Sequence, residues 1–180
     1  PLSGMPFWEQ QLARGYRLTG IGGSDNHDAS LTVARPGSSL IGRPTTVVHA
    51  AQLSMPAILA GIRAGHVFVD VEGSRDRLLE LAASSGQQRA VMGEILRAAA
   101  GVRVHFEAHV VHVQGARLHV LLDGQPFASA VDAAIDGADQ RIGFDWNSDG
   151  RPHRLRVEVR DAGGKPLLIG NPVYLNLPGH

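Results

Sequence analysis

Leu155, Val157 and Val159 alternate with Arg154, Arg156, Glu158 and Arg160 in HRLRVEVR, the two-residue period of a strand with one face in a core and the other in water. The same alternation runs through Val104, Phe106, Ala108 and Val110 of VRVHFEAHVV. From Gly73 onward, Arg77–Ala82, Val102–Val113, Ala116–Leu122, Ile142–Trp146, His153–Arg160 and Pro172–Leu177 read as short strands. Asp123-Gly124 and Gly163-Gly164 supply turns between them. About seven strands in roughly a hundred residues predict an antiparallel β-sandwich of immunoglobulin-like type.

Before Gly73 the pattern differs. Phe7–Arg14 (FWEQQLAR) reads as the end of a helix closed by Gly15, and Tyr16–Ile21 as a short apolar strand. A loop of about fifteen to twenty residues follows, containing Pro36, Gly37, Gly42 and Pro44. Thr45–His49 is β-branched and strand-like. Ser54 is placed as an N-cap, Pro56 fits a first turn, Ile58, Leu59 and Ile62 share a helix face, and Gly65 ends it. His66–Val71 is a further strand. Strand, helix and strand in this order predict an α/β unit with parallel strands. The expected organisation is therefore α/β plus all-β, with one domain over 1–72 and a second over 73–180.

Composition narrows the function. The 180 residues carry 17 Lys+Arg and 17 Asp+Glu, a formal net charge of zero, so no basic field for nucleic acid is expected. No apolar run approaches the ~20 residues of a membrane-crossing helix, and no signal peptide is seen. A soluble protein is expected, with cytoplasm and export both open, since the absence of cysteine fixes no compartment. The chain begins at Pro1 without an initiator Met, as a processed protein or a piece of a longer one does. Nine histidines direct attention to metal chemistry.

Four clusters are candidates. In GIGGSDNHDAS, residues 20–30, Asp25 and His27 stand two apart, so on an extended chain both face one side. Gly22 and Gly23 permit an unusual turn or close approach of a ligand. A carboxylate with an imidazole suits zinc, manganese or iron. By spacing alone, a turn capped by Ser24-Asp25-Asn26 with an exposed His27 is the favoured account of the stretch, and two ligands do not make a protein-held metal site. DWNSDG, residues 145–150, matches the start of an EF-hand calcium loop, but the twelfth position is Arg156 instead of a bidentate Glu; a hairpin turn over Asn147–Gly150 explains it better. His105, Glu107 and His109 of HFEAH share a strand face, but alternate residues lie ~7 Å apart, too far to converge on one ion. They read as the solvent face of a strand, as do His112 and His119. Arg43, in IGRPTT, is placed to clamp a phosphate or carboxylate if its loop covers the Asp25 side.

FWEQQLARGYRLTGIGGSDNHD, followed by IGRPTTVVHA, SMPAILAGIRAGHVFVD, Met92–Glu94 (MGE) and NPVYLNL, resembles the carboxy-terminal part of PHP-superfamily metallohydrolases, named for polymerase and histidinol phosphatase domains. The likeness is closest to the carbaryl-hydrolase-like branch, where a PHP barrel precedes a β-sandwich tail. It implies that Asp25 and His27 are the last ligand pair of a two- or three-metal cluster. It also implies a hydrolase that uses metal-activated water on a phosphoester, ester or carbamate of a small molecule. The family's opening H-x-H motif and further His and Glu ligands have no counterpart here: no histidine precedes Asp25, and Glu9 is the only acid there. A distorted seven-stranded barrel needs about two hundred residues or more. The expectation is a C-terminal remnant of that barrel plus the complete tail, inactive alone. Its open barrel edges would be covered by self-association or loop rearrangement. The alternative is a non-catalytic β-sandwich module for interaction or assembly, with a vestigial barrel segment.

Overall fold

The computed structural model describes residues 4–33, 35, 38–127 and 133–178; Pro36 and Gly37 of the expected loop lie outside them. Helix α1 spans Met5–Ala13, strand β1 Thr45–Val48, helix α2 Met55–Ala64 and strand β2 Val67–Asp70. The strands β3 Leu78–Ser85, β4 Gln88–Val91, β5 Ile95–Leu96, β6 Arg103–Val111, β7 Arg117–Leu122, β8 Gln125–Pro126 and β9 Ala133–Ala134 follow. Last come β10 Asp139–Asn147, β11 His153–Arg160, β12 Pro166–Gly170 and β13 Val173–Leu175.

Among the described residues these strands form two sheets. One is four-stranded, in the order β10-β6-β3-β4. The other is nine-stranded: β1-β2-β12-β11-β13-β5 along one path, with β7 on β11 and carrying β8 and β9. Pairing is antiparallel except between β13 and β5. The sheets pack face to face, an arrangement compatible with a β-sandwich. Leu79, Leu81, Val104, Phe106 and Val110 of the smaller sheet enter the same core as Leu118, Leu155, Val157 and Leu168 of the larger. Burying each large apolar side chain contributes roughly 1.5–3 kcal/mol.

Alternation places β6 correctly. Val104, Phe106, Ala108 and Val110 are fully buried and the histidines between them face outward. The β11 pattern is subtler. Leu155, Val157 and Val159 enter the core as expected, but Arg156 and Glu158, expected in water, are also buried. The reason is α1, which lies over the opposite face of the nine-stranded sheet. Its Trp8 and Leu12 join Val69, Ile169 and Tyr174 in a second apolar cluster, and its Glu9 accepts from Arg156 Nε at 2.7 Å.

The expected parallel unit is not formed. β1 and β2 pair antiparallel, Thr45 opposite Asp70 and Val48 opposite Val67. The His49 N–H donates to the His66 carbonyl at 2.9 Å, which closes the hairpin where α2 departs and returns. A ten-residue helix with both its ends at one end of the pair cannot make the crossover that parallel strands require. The helix itself is capped as expected: Ser54 Oγ accepts from the Ala57 N–H, and Gly65 takes φ +77°. Tyr16–Ile21, expected as a strand, takes no place in either sheet. Residues 1–72 and 73–180 share one sheet, since Asp70, Val69 and Phe68 of β2 pair with Leu168, Ile169 and Gly170 of β12.

Candidate functional site

Asp25 and His27 do meet. His27 Nε2 lies 3.2 Å from Asp25 Oδ1, with the two side chains 87% and 93% exposed. Their convergence is not that of an extended strand, because Asp25 has φ +50°, in the left-handed region that aspartate tolerates better than most residues. Local hydrogen bonds shape the rest of the turn. The Asp28 N–H donates to Asn26 Oδ1 at 2.9 Å, and the Ser30 hydroxyl and N–H donate to Asp28 Oδ1 at 2.6 and 3.0 Å. These Ser30 bonds hold the Asp28 carboxyl below its ordinary range. Asn26 Nδ2 donates to the Ser39 carbonyl, which ties the turn to the far side of the following loop.

The backbone leading into this turn is fixed by side chains from distant parts of the chain. Trp8 Nε1 donates to the Leu18 carbonyl at 2.8 Å, and Thr19 Oγ1 to the Ile62 carbonyl at 2.9 Å. The Gly20 N–H donates to Asn171 Oδ1 at 2.7 Å, while Asn171 Nδ2 donates to the carbonyls of Gly20 and Val67 at 2.9 and 2.8 Å. The Thr46 hydroxyl accepts from the Gly22 N–H at 2.9 Å and donates to the Gly22 carbonyl at 2.7 Å. Arg17 reaches the Gly93 carbonyl at 2.6 Å and lies over the Tyr174 ring, 5.3 Å from its centroid. The Leu18 carbonyl and both peptide groups of Gly20 and of Gly22 are therefore bonded without a sheet partner.

Gly22 is required by packing. A Cβ there would stand 2.6 Å from Val69 Cγ1 and 3.2 Å from Pro44 Cβ, whereas one at Gly23 would meet nothing within 4 Å. The expected unusual turn falls at Asp25 instead of at the glycine pair.

Arg43 is exposed, beyond a turn in which its N–H donates to the Leu40 carbonyl at 3.2 Å. Pro44 packs at Gly22 and Thr46 binds it, so the IGRPTT segment runs beside the backbone that leads to Asp25. Among the described residues, the Arg43 guanidinium has no ion-pair partner.

No protein-family model and no curated protein matches this chain.

The remaining clusters have structural partners. His105 Nδ1 lies 2.8 Å from Asp145 Oδ1 on the neighbouring β10, and Arg141 donates to Glu107 at 2.6 Å. His109 sits between Glu80, 3.1 Å from Nδ1, and Asp139, 2.8 Å from Nε2. The HFEAH face is thus a set of cross-strand hydrogen-bonded pairs on the outward side of the strand. His112 lies 3.4 Å from Asp76. In DWNSDG, Ser148 Oγ donates to the Ala98 carbonyl at 2.8 Å and accepts from the Gly150 N–H at 3.0 Å. Arg156, at the twelfth position, is committed to Glu9 and Glu158. The stretch is not the expected hairpin: β10 pairs with β6 in one sheet and β11 with β7, β12 and β13 in the other, so it is a corner between sheets.

Asn171, Thr46 and Trp8 were not picked out as site residues by periodicity. The available signal was Asn171-Pro172 directly before an apolar strand, an amide placed where the chain leaves one strand for another.

Proposed function

We propose that this chain is the C-terminal portion of a metal-dependent hydrolase, a barrel remnant followed by an immunoglobulin-like sandwich, with Asp25 and His27 as one corner of its metal centre. The observation that carries the reading is convergence. Trp8, Thr46 and Asn171, each from a different segment of the resemblance, hold the backbone of residues 18–22 that leads to Asp25 and His27, and the Gly93 carbonyl takes the Arg17 side chain. Elaborate support under an exposed carboxylate–imidazole pair suits ligands whose partners come from elsewhere.

The donor set fits part of a zinc, manganese or iron site: one carboxylate oxygen and one imidazole nitrogen, 3.2 Å apart and open to solvent. Such a metal, when bound, supplies a Lewis acid that brings the pKa of water near neutrality for attack on a phosphoester, ester or carbamate. Within this chain Asp25 and His27 hold the ion, and Arg43 orients the anionic part of a small-molecule substrate.

Surface chemistry supports a missing neighbour. Among the described residues, Tyr16, Leu18, Ile21, Ile41, Leu53 and Met55 are exposed, and every exposed large hydrophobic except Val102 lies between residues 7 and 59. β1 is also a free edge of its sheet. In the 180-residue chain by itself, a second copy covers this surface; sedimentation showing only monomer overturns that part.

The experiment compares this chain with a longer polypeptide carrying its upstream sequence, by metal analysis and p-nitrophenyl phosphate hydrolysis with added manganese. The longer form is expected to hold metal and turn over. Asp25→Asn and His27→Ala lower its metal affinity by at least the roughly ten- to hundredfold that losing an outer-shell partner costs, and this chain alone is inactive. A longer form without metal or activity leaves the alternative, a non-catalytic sandwich module for assembly.

A further inference from the structure

A cleft of about 230 Å³ opens where β1 and β2 of the larger sheet diverge from β3, β4 and β6. Val47, Phe68, Leu81 and Met92 form apolar walls. Its volume exceeds the ~150 Å³ that accommodates a benzene ring in an apolar cavity. None of the lining belongs to residues 20–30.

The mouth carries an uneven set of charges. Glu107 is taken by Arg141 at 2.6 Å. Glu80 faces His109 at 3.1 Å and His49 at 4.0 Å, and the other nitrogen of His109 meets Asp139 at 2.8 Å. Both ring nitrogens of His109 thus face carboxylates and are not open to a ligand. The remaining mouth cation, Arg89, has no carboxylate within ion-pair distance among the described residues. His49, with a side chain 79% exposed, stands at the same mouth. An apolar cleft whose acids already face partners and whose spare group is the Arg89 guanidinium complements an apolar body with an anionic head.

We infer that this cleft binds a small amphiphilic anion, an aromatic or branched aliphatic carboxylate whose apolar part lies between Phe68 and Met92 and whose carboxylate meets Arg89. The site is separate from Asp25 and His27, so it stands or falls independently of the hydrolase reading.

Methyl and amide NMR of the 180-residue chain, titrated with 2-naphthoate and in parallel with neutral 2-naphthamide, tests this. Naphthoate is expected to shift Val47, Leu81 and Met92 methyl signals in a saturable way, with the amide binding about tenfold more weakly. Arg89→Gln, at an exposed position, removes most of that difference. Absence of saturable shifts at millimolar naphthoate, equal binding of acid and amide, or indifference to Arg89→Gln each overturns the inference.

Discussion

Asn171 grips both polar atoms of Gly20's backbone: the Gly20 N–H donates to its Oδ1 at 2.7 Å, and its Nδ2 donates to the Gly20 carbonyl at 2.9 Å. These residues are 151 positions apart, and the amide is 2% exposed. It acts for the stretch before Asp25 as a sheet neighbour would.

Asn171→Ala is therefore expected to cost about 2–4 kcal/mol, because buried peptide groups are left unpaired. Thr46→Val, which removes the hydroxyl bonded to Gly22, should cost about 1–2 kcal/mol. Urea denaturation measures the loss, and hydrogen exchange should rise first at Gly20 and Gly22. Unchanged protection there in both variants refutes the cradle.

Gly93 sits at φ +87°, where a Cβ would collide with the Ala64 carbonyl oxygen and Gly65 Cα. Gly93→Ala combines strain in the left-handed region with a clash against backbone that cannot rotate away. A loss of about 3 kcal/mol or more, read as a melting-temperature drop of roughly 6–12 °C, is the expected result. A drop within 2 °C (about 1 kcal/mol or less) would show that the contact relaxes freely.

Glu158 is 2% exposed and accepts from Arg156 Nη1 at 2.6 Å and Arg160 Nε at 2.9 Å. Burial favours its neutral form, but the charge and hydrogen bonds of Arg156, then those of Arg160, outweigh it and lower the pKa from the usual 4.5. A lowered folded-state pKa means its contribution is complete above about 4.5 and fades as pH falls through the folded value. Glu158→Gln should cost about 1.5–3 kcal/mol at pH 7, because buried Arg156 keeps Glu9 but loses its second carboxylate. It should also flatten the decline of the urea midpoint between about pH 5 and pH 3. A variant whose acid limb parallels that of the parent contradicts this assignment.

His153 is clamped by Asp123, 2.6 Å from Nδ1, and Asp149, 3.0 Å from Nε2. Burial opposes its protonation, yet the hydrogen bond and charge of Asp123, then Asp149, raise its pKa above the usual 6.5. With the folded value raised, the stabilisation is complete below about 6.5 and is lost as pH rises through the folded value. The urea midpoint should fall over that interval, and His153→Gln should remove the step. Identical profiles for the two proteins exclude the clamp as its origin.

The longer strands of the two sheets were legible because burial on one face writes itself into the chain every second residue; β6 is found from Val104, Phe106, Ala108 and Val110 alone. The short β5, β8 and β9 carry no period, since two residues cannot show one. The run PLLIG of β12 is buried from Leu167 to Gly170, so it shows no alternation either. The burial of Arg156 and Glu158 was hidden because their outward positions look solvent-facing until α1 is placed over them.

Local pattern by itself determined β3, β6, β7, β10, β11 and β13, both helices with their glycine ends, and the Asp25–His27 pair as a candidate, since each depends on residues a few positions apart. Only the tertiary structure decided that β1 and β2 run antiparallel and join the larger sheet, that DWNSDG turns a corner between sheets, and that Asn171 and Thr46 hold the approach to Asp25. Those outcomes rest on hydrogen bonds and packing between residues 17 to 151 positions apart, and contacts that remote impose no period on the sequence between them.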